Sequence, residues 1–152
     1  MDYIRYIRDK VGNDTIILNA SGCIIVNESG EILLHKRRDC EQWGFMGGFV
    51  DLGESVEEAA IREVLEESGI HVVIDSLYGV YSKYFTEFGN GDKAQVIIHV
   101  FIAHEAGGEM IVENAESLEI RYFNVNSLPP MFCKQHQDIL DDYVAGRKNV
   151  YR

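Results

Sequence analysis

Three glutamates, Glu63, Glu66 and Glu67, stand at i, i+3 and i+4 within the segment DLGESVEEAAIREVLEE, residues 51–67. On a helix those spacings bring the three carboxylates onto one face. Ionised at such separations they repel one another, so an isolated helix gains nothing from them. Clustered hard oxygen donors do suit Mg²⁺ or Mn²⁺. The segment carries seven acidic residues against the single Arg62, which places −6 of the chain's net charge of −11 in one short stretch. Most acidic runs are solvated helix faces; here the spacing points beyond that. Arg62 lies four residues before Glu66, where it can pair with it or brace Glu54.

The surrounding residues predict the element that holds these groups. Ser55 is a good N-cap, and Glu58 three residues later completes a capping box. Gly69 supplies the C-terminal stop. Ile61, Val64 and Leu65 fall on a second face, suited to a core. Ahead of the helix, WGFMGGFVDLGES holds Gly44, Gly47, Gly48 and Gly53. Adjacent glycines permit approaches that a Cβ would block. This stretch reads either as an ordinary turn or as a loop whose backbone passes close to a bound phosphate or metal.

From Gly48 to Ile70 the sequence resembles the Nudix box, GX5EX7REUXEEXGU, where U is aliphatic. Gly48, Glu54, Arg62, Glu63, Glu66, Glu67 and Gly69 fill the fixed positions, and Val64 and Ile70 fill the aliphatic ones. With a chance frequency of about 0.06 per fixed residue, seven matches have a probability on the order of 10⁻⁹ per start position.

The resemblance implies an α/β fold, the Nudix α/β/α sandwich with a central mixed β-sheet. It implies a pyrophosphohydrolase that cleaves the diphosphate link of a nucleoside diphosphate bound to a moiety X, such as ADP-ribose, by water attack on phosphorus. Two alternatives stand beside it: a nucleoside triphosphate pyrophosphatase that cleans the nucleotide pool, and a Nudix module that senses a nucleotide without cleaving it. The implied cofactor is Mg²⁺, with Mn²⁺ also suited. Glu63, Glu66 and Glu67 become metal ligands, and the Gly47 carbonyl a further one. Glu54 and Arg62 orient these ligands. The general base is one of the glutamates or a carboxylate beyond the box. ENAESLEIRYF offers Glu113, Glu116 and Glu119, of which Glu116, just before a strand, is the candidate to complete the metal site.

Candidates for substrate contact are Arg37 and Arg38 toward phosphate oxygens, Gly48 in the loop, and Tyr81 and Tyr84, with Tyr78 and Phe85, as a base-stacking face. Aromatics at such spacings more often serve the core or the sheet surface, because burial is their common role. Cys133 and His136 faintly resemble half of a zinc site but lack a second pair. His99, in an apolar strand, reads as a core histidine.

The rest of the chain must position these groups. A short amphipathic helix is predicted over residues 2–11 through Tyr3, Ile4, Ile7 and Val11. Strands are predicted over 16–28, 31–37, 71–85, 95–106 and 117–125, with a hairpin-like turn at Asn90-Gly91. A closing helix is predicted over 131–145, with Phe132, Ile139, Leu140 and Val144 toward the core. With 152 residues, 46% hydrophobic and 26% charged, and no repeat or linker, the chain reads as one Nudix domain over 1–152.

Composition narrows the partners. An excess of 25 acidic over 14 basic residues argues against nucleic-acid binding. No apolar run approaches the ~20 residues of a membrane span. Cys23, Cys40 and Cys133, odd in number and widely spaced, fit reduced thiols in a cytoplasm. The implied partner is a small nucleotide diphosphate substrate, and family resemblance adds a homodimer.

The sequence departs from common family patterns in two places. Met46 stands where many members carry proline before the paired glycines. Around Tyr84–Thr86 there is no proline of the kind the ADP-ribose subgroup often has, and the only prolines are Pro129 and Pro130. Tyr84 lies near a tyrosine that marks some dinucleoside polyphosphate hydrolases.

Overall fold

The computed structural model describes residues 2–152. In chain order the elements are α1 (Tyr3–Val11), β1 (Ile16–Val26), β2 (Ile32–Arg37), β3 (Trp43–Gly44), β4 (Met46–Phe49) and α2 (Val56–Ser68). Then follow β5 (Ile70–Tyr81), β6 (Phe85–Glu87), β7 (Lys93–Gly108), β8 (Ser117–Phe123), α3 (Lys134–Val144) and β9 (Val150–Tyr151). The strands form one mixed sheet with the path β3-β2-β1-β7-β5-β9; β4 pairs with β1, β6 with β7 and β8 with β2. β1 and β7 run parallel from Ile16 opposite Ala94 to Ile25 opposite Ala103. A parallel pair needs a long crossover, and α2 lies within it.

Alternation along β1 sets the layers. Ile24 faces a core shared with Leu18, Ala20, Leu34 and the α3 residues Ile139 and Leu140. Its neighbour Ile25 faces the opposite core, with Leu33, Met46 and the α2 residues Ala60 and Val64. Helices therefore cover both faces of the sheet, and the expected α/β/α sandwich is present.

The α2 helix begins as its sequence dictates. The Ser55 hydroxyl accepts from the Glu58 backbone N–H at 3.0 Å, and the Glu58 carboxylate accepts from the Ser55 N–H at 2.8 Å. Gly69 ends it in the left-handed region at φ 79°. Its buried face is shifted from the expected one. Ala59, Ala60 and Val64 are fully buried, Ile61 is half-buried, and Leu65 is exposed. The buried line runs through Ala60, Val64 and Glu67, at i, i+4 and i+7. The helix thereby turns Glu67 inward.

Other elements differ from expectation in extent. The glycine stretch contains β4, paired antiparallel with β1 so that Gly47 opposes Gly22 and Met46 opposes Cys23. Met46 is buried in the core beneath α2, which accounts for an apolar side chain where a loop proline was the common alternative. The strand expected over 71–85 divides into β5 and β6. The closing helix spans 134–144, and Val144 is exposed rather than packed. The first helix starts at Tyr3, with Asp2 as its N-cap. Among the described residues no helix is long and apolar enough to cross a membrane.

Candidate active site

Arg62 is the hub that ties the glycine stretch to α2. Its guanidinium donates to both oxygens of Glu54, at 2.6 and 2.9 Å, and to the Phe49 carbonyl at 3.1 Å. Nη1 reaches Glu63 Oε1 at 2.8 Å and Glu66 Oε2 at 3.4 Å. Glu54 in turn accepts from the Asp51 N–H at 3.0 Å. One cation thus fixes the loop, the helix start and two of the three clustered carboxylates.

The three clustered glutamates differ in environment. Glu66 is exposed, Glu63 is partly buried, and Glu67 is only 4% exposed. Glu67 Oε1 accepts from the Gly47 N–H at 2.8 Å. Burial pushes the Glu67 carboxyl well above the ordinary carboxylate range; the Gly47 N–H opposes this, and the charges of Glu63 and Glu116 add to it. Burial also raises Glu63, with Arg62 pulling against the rise. Glu54 moves the other way, lowered by its bonds to Arg62. The glycines make this packing possible. A Cβ on Gly48 would stand 2.3–2.6 Å from the Glu63 carboxyl atoms, and one on Gly47 would stand 2.4 Å from the Ser21 carbonyl oxygen.

These groups border a polar cleft of about 880 Å³, lined also by His35, Arg37, Arg38, Gly47, Gly48 and Glu116. A second, narrower cavity of about 240 Å³ adjoins it across Gly47, Gly48 and Phe49, with an apolar wall that includes Phe88, Val96, Phe132 and Ile139. Arg37 borders both cavities.

Comparison with known proteins gives this arrangement its family. The family model described as NUDIX domain matches residues 17–143. The chain belongs to the Nudix family. A Bacillus subtilis protein named, provisionally, an 8-oxo-dGTP diphosphatase is 34% identical over 127 residues, covering 84% of this chain and 80% of the relative. An ADP-ribose pyrophosphatase of Methanocaldococcus jannaschii is 37% identical over 126 residues, covering 81% of this chain and 71% of the relative. The MutT protein of Methanosarcina mazei matches in structure with a TM-score of 0.71 at 23% identity, covering 88% of this chain and 96% of that one. This Nudix chain is accordingly a hydrolase that acts on phosphoanhydride bonds.

Nudix hydrolases use divalent metals, and the donors here fit such an ion. Glu67 is a desolvated carboxyl that lines the cleft and accepts a single hydrogen bond, from the Gly47 N–H, and its ionised form calls for a cation. Among the described residues no three His, Cys, Asp or Glu side chains converge as a closed cage. That suits a hard ion that keeps several waters and shares its shell with substrate phosphates.

The remaining sequence candidates separate. Arg37 and Arg38 both border the cleft. Arg37 grips Asp39 through two bonds, at 3.0 and 2.8 Å, and lies 4.3 Å above the Phe132 ring. Arg38 donates to the Asn114 carbonyl at 3.0 Å. Glu116 borders the same cleft, whereas Glu113 lies 3.6 Å from Arg38 and Glu119 lies 3.1 Å from Arg121. Tyr81 does not form a stacking face. It is fully buried, and its hydroxyl donates to the buried Asp142 at 2.9 Å. Tyr84 packs against the core on the α3 side and donates to Asp138 at 2.7 Å. The reason lies in β5, whose three register shifts against β7 rotate its faces. Cys133 and His136 form no metal pair: His136 is half-buried and its Nδ1 accepts from the Phe45 N–H at 3.1 Å. His99 lies within reach of the Ala20 carbonyl at 3.0 Å.

Three polar residues around Glu67 escaped sequence reasoning. His35 Nδ1 lies 2.8 Å from the Ser117 hydroxyl, and His35 Nε2 lies 3.4 Å from Glu67 Oε2. Burial lowers the His35 ring to about 4, helped by Arg37, so at neutral pH this contact is not an ion pair. The Asn114 side chain donates to the Glu67 backbone carbonyl at 2.7 Å and accepts from the Glu116 and Ser117 N–H groups. It thereby ties the loop bearing Glu116 to the end of α2. No motif marks these residues: His35 and Ser117 meet across paired strands, and Asn114 reaches Glu67 from a loop 47 residues away.

Proposed function

We propose that this protein is a Mg²⁺-dependent pyrophosphohydrolase of a nucleoside diphosphate linked to X, with Mn²⁺ an effective substitute. The observation that carries the reading is the adjacency of the two cavities. A polar, carboxylate-lined cleft accommodates a metal-neutralised diphosphate, and an apolar cavity of about 240 Å³ beside it suits the stacking of one nucleobase. The cleft, at about 880 Å³, leaves room for a second moiety beyond the diphosphate.

Glu63, Glu66 and Glu67 hold the metal, with Glu116 and the Gly47 carbonyl as further oxygen donors. When bound, the cation neutralises phosphoryl oxygens and acidifies water. Arg62 holds Glu63 and Glu66 in place through its grip on Glu54. A carboxylate of the cleft takes the proton of the attacking water. The water oxygen bonds to one phosphorus as the bridging P–O bond breaks, giving a nucleoside monophosphate and the phosphate of X. Arg37, at the border of the two cavities, and Arg38 face the phosphates nearest the nucleoside.

The triphosphate reading keeps support from the Bacillus subtilis relative, whose name is that of a triphosphate enzyme. A panel of ADP-ribose, other nucleotide sugars, dinucleoside polyphosphates and triphosphates, with products resolved by chromatography, separates the two. Release of nucleoside monophosphate with phosphorylated X supports the proposal. Pyrophosphate release from triphosphates alone replaces it, and tight nucleotide binding without metal-dependent turnover makes the chain a sensor.

A further inference from the structure

We propose that His35, held by Ser117, is the positioning residue that fixes the inner oxygen of Glu67 for metal binding. The inference rests on the metal-site reading above. Glu67 has one oxygen secured by the Gly47 N–H. Its other oxygen, Oε2, faces His35 Nε2 at 3.4 Å. Both side chains are more than nine-tenths buried, and Nε2 has no hydrogen-bond partner.

One tautomer suits an ionised Glu67. The Ser117 hydroxyl has one proton and two places to send it: the Glu67 backbone carbonyl at 3.3 Å, or His35 Nδ1 at 2.8 Å. Asn114 already serves the Glu67 carbonyl at 2.7 Å. The hydroxyl can therefore send its proton across the shorter gap, to Nδ1. That leaves the ring proton on Nε2, pointed at the carboxylate. Against the ionised Glu67 that a cation requires, the opposite tautomer would set two lone pairs against each other in a buried place.

His35 then acts on the metal without touching it. A buried glutamate has several rotamers, and a donor on each oxygen selects the one whose remaining lone pairs face the cleft. The gap of 3.4 Å exceeds a charge-assisted bond of about 2.8 Å, and a small turn of the ring closes it. Partners of this kind change metal affinity by about 10–100-fold when removed.

The test is Mn²⁺ binding to the substrate-free protein, read by electron paramagnetic resonance, with melting in EDTA as the fold control. His35→Leu should weaken Mn²⁺ binding at least tenfold. Ser117→Ala should weaken it less, and His35→Gln, whose amide N–H can reach Oε2, should return it to within about threefold of wild type. The same ordering should appear in the metal concentration needed for half-maximal activity, while KM for substrate at saturating metal stays unchanged. If His35→Leu does not fold, the Gln and Ala variants carry the comparison. Wild-type affinity in His35→Leu, or a Gln variant no better than the Leu variant, overturns the proposal and leaves the metal site standing. A wild-type protein that binds no Mn²⁺ removes both.

Discussion

A methyl group on Gly48 strikes the carboxyl of Glu63. The added Cβ would meet Cδ at 2.3 Å and the two oxygens at 2.4 and 2.6 Å, whereas ordinary contact begins near 3.4 Å. Glu63 must therefore retreat by about 1 Å, and it cannot do so freely. Its Oε1 is bonded to Arg62 at 2.8 Å, and Arg62 is anchored on Glu54. The displacement falls on a proposed ligand of the metal, where an error of about 1 Å costs about 10²-fold in rate. The backbone at Gly48 lies outside the left-handed region, so alanine adds no strain of its own. We expect Gly48→Ala to lower kcat about 100-fold while its melting temperature in EDTA stays near that of wild type. Gly89→Ala is the control, because a Cβ there meets nothing within 4 Å. The assay is the initial rate at saturating substrate and metal. A kcat within threefold of wild type refutes the steric account.

Two further outcomes follow from the buried carboxyls. The folded-state pKa of Glu67 is raised above its unfolded value, so this group's contribution to stability is present at low pH and is lost as pH rises through that raised folded-state value, above the ordinary carboxylate range. A cation needs the ionised form, so the rise in melting temperature on adding Mn²⁺ should grow as pH climbs above the ordinary carboxylate range; a constant increment contradicts the assignment of Glu67 as a ligand. Tyr81→Phe removes one bond to Asp142, which keeps Arg147 and Arg152 as partners. It should cost about 1 kcal/mol in urea denaturation and leave kcat/KM unchanged, whereas a tenfold rise in KM would return Tyr81 to the cleft.

The box was legible because its chemistry is local. Ser55, Glu58 and Gly69 set the ends of α2 with residues adjacent in sequence, and the i, i+3, i+4 spacing brings Glu63, Glu66 and Glu67 together on one helix. Which of the three is buried was not legible. That depends on Ala60 and Val64 bringing the helix down onto the sheet, a tertiary choice that Leu65 seemed equally able to make. For Tyr81 the sequence offered a stacking face or a core position, and the core position holds. Alternation alone could not have chosen, because β5 shifts register between His71 and Val72, between Ile74 and Ser76, and between Leu77 and Gly79. Each bulge resets which side a residue faces. His35 had no signal at all, since its partner Ser117 lies 82 residues away.

The parallel pairing of β1 with β7 also governs when the site comes into being. Every residue of the acidic box lies between Ile16 and Ala94, the first pair of that ladder. A chain leaving the ribosome exposes its glutamates long before the strand that completes their floor has been made. At that stage they are a solvated string of charge and hold cations only diffusely. Pairings so distant in sequence close slowly, on a timescale of about milliseconds to seconds. A bound cation would thus be a late arrival. It would not guide the chain to its fold; its contribution would be to lengthen the life of the finished molecule by slowing its opening.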